Sequence, residues 1–306
     1  MIYTSLNKKK PTFSRNSIAY LNGVSYPANT PRFTDGGLLI ERGTTNLLSA
    51  ADNQSFSSAA TVTVVSGNTY TISCKTGTIT LSGAAAGTVT NGNPVTITAS
   101  STSLVLTPAD TVTFSQVENL SYATSWQIGG AARSSESLLN INQAMFPDQN
   151  NWKIEFDYNQ KNFASDIFFK FDTYSHLWMN VNNFQLIIGH VSSGRGGLTM
   201  YPSSGMGFGI KHRFTLIKKG EKTYDVWFDN EKVLSDFEDT DTALTTDRIY
   251  FPATSVSVVG QVRVSTGTWT DDKIAADAQL STLPVESDTT YYMPLTEDLR
   301  YLTYLF

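Results

Sequence analysis

The chain has 306 residues, of which 40% are apolar and 12% aromatic, so it is long enough for two or three domains with substantial cores. Only 16% are charged, against about a quarter in typical soluble domains, and the net charge of −5 lacks the basic footprint of a nucleic-acid binder. The single cysteine, Cys74, excludes an intrachain disulfide, and its alternating strand context predicts a structural thiol.

Residues 1–50 are predicted to form an extended arm with short strands and no core of its own. Pro11, Pro27 and Pro31 interrupt it, and it shows little helical periodicity. Its start lacks the apolar core of a signal peptide, and no run of about 18 apolar residues follows anywhere. We therefore expect no membrane insertion.

The most organised part of this arm is an apolar strand, Leu38 to Ile40, between two turns. Gly36 and Gly37 precede it and can adopt positive φ, which allows a sharp entry into the strand. Taken alone, this pattern predicts a short buried strand and carries no catalytic motif.

The strand belongs to a series of three spaced elements in a specific order: Asn-Thr-Pro-Arg-Phe at 29–33, Gly-Leu-Leu-Ile-Glu at 37–41, which contains the strand, and Thr-Asn-Leu-Leu at 45–48. With them, residues 12–50 resemble the N-terminal segment of a large group of tailed-bacteriophage virion proteins. The resemblance implies a virion protein made in the host cytoplasm. Because the segment has too few apolar residues for its own core, we expect it to anchor the protein to other virion proteins through Arg32, Phe33, Leu38, Leu39, Ile40, Asn46 and Leu47.

Residues 51–126 are predicted to form an antiparallel β-sandwich. Short alternating strands, such as those in 60–65, 69–73 and 78–82, recur about every ten residues between Gly and Asn turns. The segment resembles a jelly roll similar to carbohydrate-binding modules, above all in its closing stretch, Gln116 to Trp126. Since virion sandwiches often serve only as spacers, this resemblance implies the fold and leaves sugar binding open.

A small-residue linker is predicted at 127–137, followed by a second sandwich at 138–282. Trp152, Ile154, Phe156 and Tyr158 alternate with polar residues, as in a half-buried strand. Later segments include His-Arg-Phe-Thr-Leu, Val-Trp-Phe-Asp-Asn, Gly-Gln-Val-Arg-Val and a terminal helix at 273–280. In this order they resemble a concanavalin-A-like, laminin-G-like jelly roll. The fold class is therefore all-β, with two sandwiches after an arm.

The tail, residues 283–306, is rich in tyrosine and leucine. Since a free apolar tail favours aggregation, we expect it to dock on its own chain or on a neighbour. The apolar tail and the low charge also predict a homo-oligomer. The resemblance to phage fibres implies a homotrimer.

One pair of carboxylates raises the question of catalysis. Glu155 and Asp157 share a strand face, about 6 to 7 Å apart, which resembles part of the Glu-x-Asp-x-x-Glu pattern of some jelly-roll glycosidases. The third position is Gln160, which cannot act as an acid or base. With Lys153 on the same face, we interpret these residues as a solvated strand face and expect no catalytic residues and no enzyme activity.

No cofactor or metal is predicted. His176, His190 and His212 are not at metal-ligand spacing, and no cysteine pair accompanies them. Asp225 and Asp229 could bind calcium, but no loop dense in oxygen ligands surrounds them.

A glycan-binding surface is predicted around Tyr174, His176 and Trp178, which alternate and would share one strand face. Sugars stack on exposed aromatic rings. The alternative places Trp178 in the core and Leu177 outward. Arg195, in a glycine-rich loop, is a further candidate because loops on a rigid sandwich often carry recognition.

Our leading hypothesis is a non-enzymatic bacteriophage virion protein, associated with a tail or fibre, that binds a host surface glycan through its second sandwich. One alternative is a head or tail decoration protein that binds only other virion proteins. Another is a glycan depolymerase using Glu155 and Asp157.

Overall fold

The computed structural model describes residues 11–141, 143–161, 166–172, 175–179, 183–187, 198–238, 246, 248–252 and 256–295. Almost all regular structure in these ranges is β, and the pairings between strands are antiparallel, so the predicted all-β sandwich class is confirmed. Before residue 136 the elements are β1 (Thr12–Ser14), β2 (Ala19–Leu21), β3 (Val24–Tyr26), β4 (Arg32–Thr34), β5 (Gly37–Glu41), β6 (Thr44–Thr45), α1 (Ala50–Gln54), β7 (Ser55–Phe56), β8 (Ala60–Thr63), β9 (Thr69–Ser73), β10 (Thr78–Gly83), β11 (Gly87–Thr90), β12 (Val95–Thr98), β13 (Ser103–Pro108), β14 (Val112–Thr113), β15 (Gln116–Glu118) and β16 (Ala132–Arg133).

The remaining elements include the longest strands of the molecule. They are β17 (Ser137–Ile141), a 3₁₀ turn (Gln143–Met145), β18 (Asn151–Gln160), β19 (Asp166–Lys170), β20 (His176–Met179), β21 (Phe184–Ile187), β22 (Leu198–Met200), β23 (His212–Lys219), β24 (Thr223–Phe228), β25 (Glu231–Glu238), β26 (Arg248–Phe251), β27 (Val256–Thr266), α2 (Asp271–Ala278) and β28 (Thr289–Met293).

The chain divides into two compact units that alternate along the sequence. The first, called here the sandwich unit, consists of the described parts of Met1–Ser14, Pro31–Glu41 and Glu136–Phe306. The second, the inserted unit, consists of Arg15–Thr30 and Arg42–Ser135. The polypeptide therefore begins in the sandwich unit, leaves it twice and returns to it after residue 135.

The sandwich unit has two sheets that enclose one core. The seven-stranded sheet has the order β1-β17-β26-β19-β20-β21-β22, and the eight-stranded sheet runs β25-β24-β23-β18-β27-β5-β4, with β28 also paired to β27. The alternation predicted for β18 is confirmed on its inner face, where Trp152, Ile154, Phe156 and Tyr158 are buried. The ring of Phe156 stacks on Phe169 of the opposite sheet at a centroid distance of 4.7 Å. Such aromatic pairs stabilise by about 0.5–1.5 kcal/mol beyond their area burial.

The eight-stranded sheet is organised around β27. One edge of β27 pairs with β18, while the other pairs first with β5, along Val256–Val259, and then with β28, along Val262–Ser265. Strands from both ends of the described chain thus share one edge of the same strand. Gly37 enters this edge with φ of 134°, and a Cβ there would lie 2.2 Å from the Val259 carbonyl oxygen, so only glycine fits.

A buried ion triad joins the points where the chain leaves and re-enters the sandwich unit. The Arg32 guanidinium lies 2.7 Å from Glu41 Oε2 and 2.6 Å from Glu136 Oε1, and all three side chains are buried. The backbone N–H of Glu41 donates to Glu136 Oε2, and the N–H of Glu136 donates to the Glu41 carbonyl. Burial alone would lower the pKa of Arg32, but the two carboxylates raise it. The triad therefore closes the gap between two residues that lie far apart in sequence.

The expectation of an extended arm at 1–50 without a core is corrected here for residues 31–41. Leu38 and Ile40 belong to the sandwich core, Leu39 is buried too, Phe33 packs against that core, and Arg32 is fully buried. The segment has too few apolar residues to bury itself. Instead β27, far along the chain, buries it. These five predicted anchoring residues are buried in the sandwich unit or packed against its core. Their contact with other virion proteins stays a prediction.

The inserted unit has its own core between a four-stranded sheet, β11-β10-β13-β8, and a three-stranded sheet, β12-β9-β15. Asn46, also predicted to anchor, is fully buried: its Nδ2 donates to the Ser115 and Gln127 carbonyls, and its Oδ1 accepts from Val117 N–H. Leu47 is 36% exposed. The predicted linker at 127–137 also contains ordered structure, because β16 within it pairs with β6.

The predicted docking tail begins in the core of the sandwich unit. Leu283, Tyr291, Met293 and Leu295 are buried, and β28 pairs with β27. Up to Leu295, therefore, the tail docks on its own chain. Residues 296–306 lie outside the described residues.

Deleting residues 1–41 is expected to prevent folding of the sandwich unit. The deletion exposes the Val256–Val259 edge of β27 and removes Leu38 and Ile40 from the core, and losing one such buried side chain costs about 2–5 kcal/mol. Domains are stable by only about 5–15 kcal/mol. Soluble yield and near-UV circular dichroism of the truncated and full-length proteins would measure the effect. A truncated protein with full-length yield and spectrum would contradict the strand assignment.

The variant Arg32→Met is expected to lower the free energy of unfolding by about 3–5 kcal/mol, because it leaves buried carboxylates without their cation. Arg42→Met is the matched control: Arg42 is exposed, and a surface change of this kind stays within about 0.5 kcal/mol. Denaturant unfolding of both variants gives the comparison. Equal losses in the two variants would mean that the triad contributes nothing specific.

Candidate glycan-binding surface

Two of the predicted glycan-binding residues lie on the outer face of the seven-stranded sheet. In β20, Leu177 and Met179 point into the core. Alternation therefore places His176 and Trp178 on the outer face, where Trp178 is partly exposed and His176 is 8% exposed. The alternative, with Trp178 in the core and Leu177 outward, is wrong. Tyr174 and Arg195 lie outside the described residues, and their predicted role stays a prediction.

Cross-strand pairing gives Trp178 polar neighbours. Trp178 is opposite Gln185 of β21, and Gln185 is opposite Thr199 of β22. Gln185 Nε2 donates to Thr199 Oγ1 at 2.9 Å, and all three side chains are partly exposed. Residues that face each other in this way have Cβ atoms about 4.5–5.5 Å apart. An indole, an amide and a hydroxyl thus form one continuous row.

A second row runs across the same face. His176 is opposite Lys170 of β19, and Lys170 is opposite Tyr250 of β26. Both Lys170 and Tyr250 are partly exposed, and the residues beside them, such as Phe169 and Ile249, are buried in the core. We call the six residues of the two rows the outer face: Trp178, Gln185, Thr199, His176, Lys170 and Tyr250.

The β-bulge between Ile167 and Phe169 helps to build this face. It turns two successive rings, Phe168 and Phe169, toward the core, where each lies within 6.3 Å of the Phe156 ring. Lys170 is left pointing outward, in line with His176. The outer face therefore stands on a rigid aromatic layer and not on a loop. Sequence alternation alone could not place Lys170 on this face, because a bulge shifts the period by one residue.

Glu155 and Asp157 lie elsewhere, on the far side of the eight-stranded sheet, and the interpretation of a solvated face is wrong. Lys153, Glu155 and Asp157 are at most 2% exposed. Arg263 Nε donates to Glu155 Oε2 at 2.6 Å, and Arg213 Nε donates to Asp157 Oδ1 at 2.8 Å. These carboxylates belong to a structural ion network.

Helix α2 covers these charged side chains, which the sequence pattern alone does not predict. Its Asp277 accepts from Arg263 at 2.5 Å and from Lys273 at 2.6 Å, and Lys153 Nζ lies 3.6 Å from it. Burial acts to raise the pKa of Asp277, but the hydrogen bonds and charges of Lys273 and Arg263 hold it below its usual value. A signal for this was present: Gln261, Arg263 and Ser265 repeat on β27 with the same polar alternation as β18.

Gln160 is 5% exposed, while Glu155 and Asp157 accept from arginine side chains. The depolymerase pattern thus has no exposed carboxylate pair at these positions. The expectation of no enzyme activity concerns the whole chain and stays a prediction.

The other candidate ligands of metals are also engaged within the fold. Asp225 Oδ2 lies 2.7 Å from Lys219 Nζ and 3.2 Å from Lys232 Nζ, and Asp229 Oδ2 lies 2.9 Å from His212 Nδ1. His212 is buried. Within the described ranges, no group of three or more His, Cys, Asp or Glu side chains is arranged to hold a metal ion. Cys74 is buried, which raises the pKa of its thiol.

Across the part of the chain that the structure describes, no helix is long and apolar enough to cross a membrane.

No protein-family model and no curated protein sequence matches the chain. Among solved structures, it is similar to the botulinum neurotoxin serotype D binding domain at 11% identity, covering 48% of this chain and 41% of that one, with a TM-score of 0.39. It is also similar to tailspike protein 2 from Escherichia coli O157:H7 bacteriophage CAB120, at 12% identity over 53% of this chain and 25% of that one, with a TM-score of 0.40. A third is a mutant of Trypanosoma rangeli sialidase displaying trans-sialidase activity, at 9% identity, 46% and 25% coverage and a TM-score of 0.37.

The chain spans between a quarter and about two fifths of the length of these three proteins. The likeness covers about half of this chain. The chemistry of its own side chains has to carry any functional assignment.

Asp277→Asn is expected to cost about 3–5 kcal/mol of unfolding free energy at neutral pH, because it leaves buried cations short of a partner. Since the folded pKa of Asp277 is depressed below its unfolded value of about 3.9, its contribution is present above that value and is lost as the pH falls through the folded pKa. The difference between wild type and variant should therefore shrink below about pH 4. Urea unfolding at several pH values measures it.

Asp272→Asn is the control for that series, because Asp272 is an exposed residue of the same helix. Its loss should stay near the 0.3–1 kcal/mol, roughly, of a carboxylate at a helix N-terminus. A difference between wild type and Asp277→Asn that does not change with pH would contradict the assigned ion network.

Proposed function

We propose that the protein is a non-enzymatic component of a tailed-bacteriophage particle, associated with a tail or fibre, and that it binds a host surface glycan on the outer face of its seven-stranded sheet. The observation that carries the glycan proposal is the row of Trp178, Gln185 and Thr199, which is partly exposed on paired strands. The virion part rests on the resemblance of residues 12–50 to phage virion proteins.

The chemistry of the row suits a sugar. A pyranose ring has an apolar C–H face, which packs on an indole. It also has hydroxyls at its rim, which need hydrogen-bond partners. Trp178 offers the ring, while the Gln185 amide and the Thr199 hydroxyl offer donors and acceptors within one strand spacing. Lys170 and Tyr250 extend the polar contacts along the second row.

The strand placement also supports binding by a preformed site. Because the core rings behind the outer face fix the sheet, Trp178 need not be ordered when a ligand arrives, which lowers the entropic cost of binding. A shallow face of this kind is open on one side, and so it suits recognition of a repeating chain more than enclosure of a single reactive bond. The burial of Glu155 and Asp157 in ion pairs supports the non-enzymatic part.

In this proposal the phage-like N-terminal elements help to build the sandwich unit. The Asn-Thr-Pro-Arg-Phe and Gly-Leu-Leu-Ile-Glu elements supply Arg32 of the triad and strand β5 of the sandwich. Their recurrence in order is then explained by a shared way of building a sandwich around an insertion. Attachment to other virion proteins and the homotrimer remain parts of the proposal that rest on resemblance alone.

Trp178→Ala is expected to weaken glycan binding tenfold or more, about 1.4 kcal/mol or above, as for a central aromatic contact. Trp178→Phe should retain most of the affinity because a ring remains, and Gln185→Ala should lie between them. A glycan array screened with the full-length protein identifies a ligand, and calorimetry on each variant measures the affinity.

Tyr26→Ala is the control, since this partly exposed aromatic lies in the inserted unit. It should leave affinity unchanged. Retention of full binding in a folded Trp178→Ala protein would exclude the outer face as the site, while absence of any glycan ligand would favour a decoration protein that binds only virion partners.

A further inference from the structure

A second surface of the sandwich unit has the features of a ligand site, and it lies at α2 rather than on the outer face. A shallow groove of about 690 Å³ is formed by residues that come after β27 in the sequence. Its lining includes Trp269, Thr270, Lys273, Glu286, Ser287 and Asp288. Its volume is within the roughly 300–1,000 Å³ of small-molecule sites.

Trp269 is held in position from two sides. Its Nε1–H donates to Asp288 Oδ2 at 2.8 Å, and the ammonium of Lys153 lies 4.9 Å from its ring centroid. The ring also packs against the small apolar cluster that contains Ile274. Lys153 is fully buried, whereas Trp269 is partly exposed and lines the groove.

The lining carries exposed hydrogen-bonding groups around that ring. Thr270 and Ser287 are exposed, and the side chains of Lys273 and Glu286 are 38% and 30% exposed. Lys273 Nζ is 2.7 Å from Glu286 Oε1, which fixes both groups at the rim. Donors and acceptors are therefore available on more than one side of the aromatic surface.

The charges select the chemical class of the ligand. With Lys153 already on one face of the indole, a second cation on the other face would meet a ring whose negative quadrupole is engaged and would be repelled by the ammonium. An anion would find no excess of positive charge, because Lys153 and Lys273 are matched by Glu286 and Asp288. A neutral ligand with an apolar face and hydroxyls at its rim remains.

We propose that this groove is a second carbohydrate subsite that stacks a neutral pyranose on Trp269. Glu286, Lys273, Thr270 and Ser287 are the groups that meet its hydroxyls. The subsite shares its ligand class with the proposed function but rests on different residues, so it stands or falls separately from the outer face. Two sugar contacts on one unit would raise the apparent affinity for a repeating glycan whose spacing lets both engage.

Indole N–H resonances can test both surfaces in one experiment, because the full chain has five tryptophans. The Trp269 signal is assigned by its loss in Trp269→Phe, and the Trp178 signal by its loss in Trp178→Phe. Glucose, galactose, mannose and N-acetylglucosamine, with their short neutral oligomers, are then titrated beside N-acetylneuraminic acid and glucuronic acid. We expect at least one neutral sugar to shift the Trp269 signal saturably at millimolar concentrations, and the acidic sugars to leave it unchanged.

A variant that blocks the groove tests the proposal while Trp269 and Lys153 stay in place. Ser287→Lys puts a long side chain into the groove from an exposed position and should abolish the shift, whereas Ser281→Lys, at an exposed position that does not line the groove, should retain it. The proposal is overturned by a Trp269 signal that no neutral sugar moves, by an equal response to the acidic sugars, or by an undiminished shift in folded Ser287→Lys. A shift of Trp178 alone would support the outer face and reject the groove.

Discussion

The structure depends on the capture of β5 by β27. Glu41 and Val256, which pair at the end of this ladder, are about 215 residues apart in sequence, and the larger segment of the inserted unit, Arg42–Ser135, lies between them. The Arg32–Glu41–Glu136 triad bridges the points where the chain leaves and returns. Because one partner strand comes so late, the sandwich unit depends on contacts of long sequence separation, which form slowly. The outer face lies on the seven-stranded sheet, which encloses the same core as the eight-stranded sheet that this pairing completes.

Local periodicity was enough to predict the all-β class and many strands. Trp152 to Tyr158 alternate because one face of β18 meets the apolar core and the other carries polar side chains, and this period is visible in any short window. The position of β5 could not be read in this way, because its partner is specified far away. One local sign was present: Leu38, Leu39 and Ile40 are consecutive apolar residues, and all five residues of β5 are buried. Such a run indicates a strand covered on both faces, not an arm.

The burial of the charged residues on β18 could not be predicted locally, for a related reason. Lys153, Glu155 and Asp157 alternate with apolar residues and look like a face in water, but α2 and the segment after it cover them. Burial of these charges is tolerated because Arg263, Arg213 and Asp277 pair with them. Trp178 points outward because Leu177 and Met179, its neighbours on β20, are buried in the core, and its role in glycan binding stays a prediction. The surroundings of Trp269 could not be predicted locally, because its contacts Lys153 and Asp288 lie far from it in sequence or across a loop.

Native-state hydrogen exchange tests the central claim most directly, namely that residues 37–41 are an integral strand of the sandwich. The amides of Leu38, Leu39 and Ile40 are to be compared with those of β18, such as Phe156, across low denaturant concentrations. The account predicts that the slowest amides of both strands exchange only through global unfolding, with the same opening free energy and the same denaturant dependence. Exchange of the β5 amides through a separate low-energy opening, while β18 stays protected, would contradict it and restore a detachable arm.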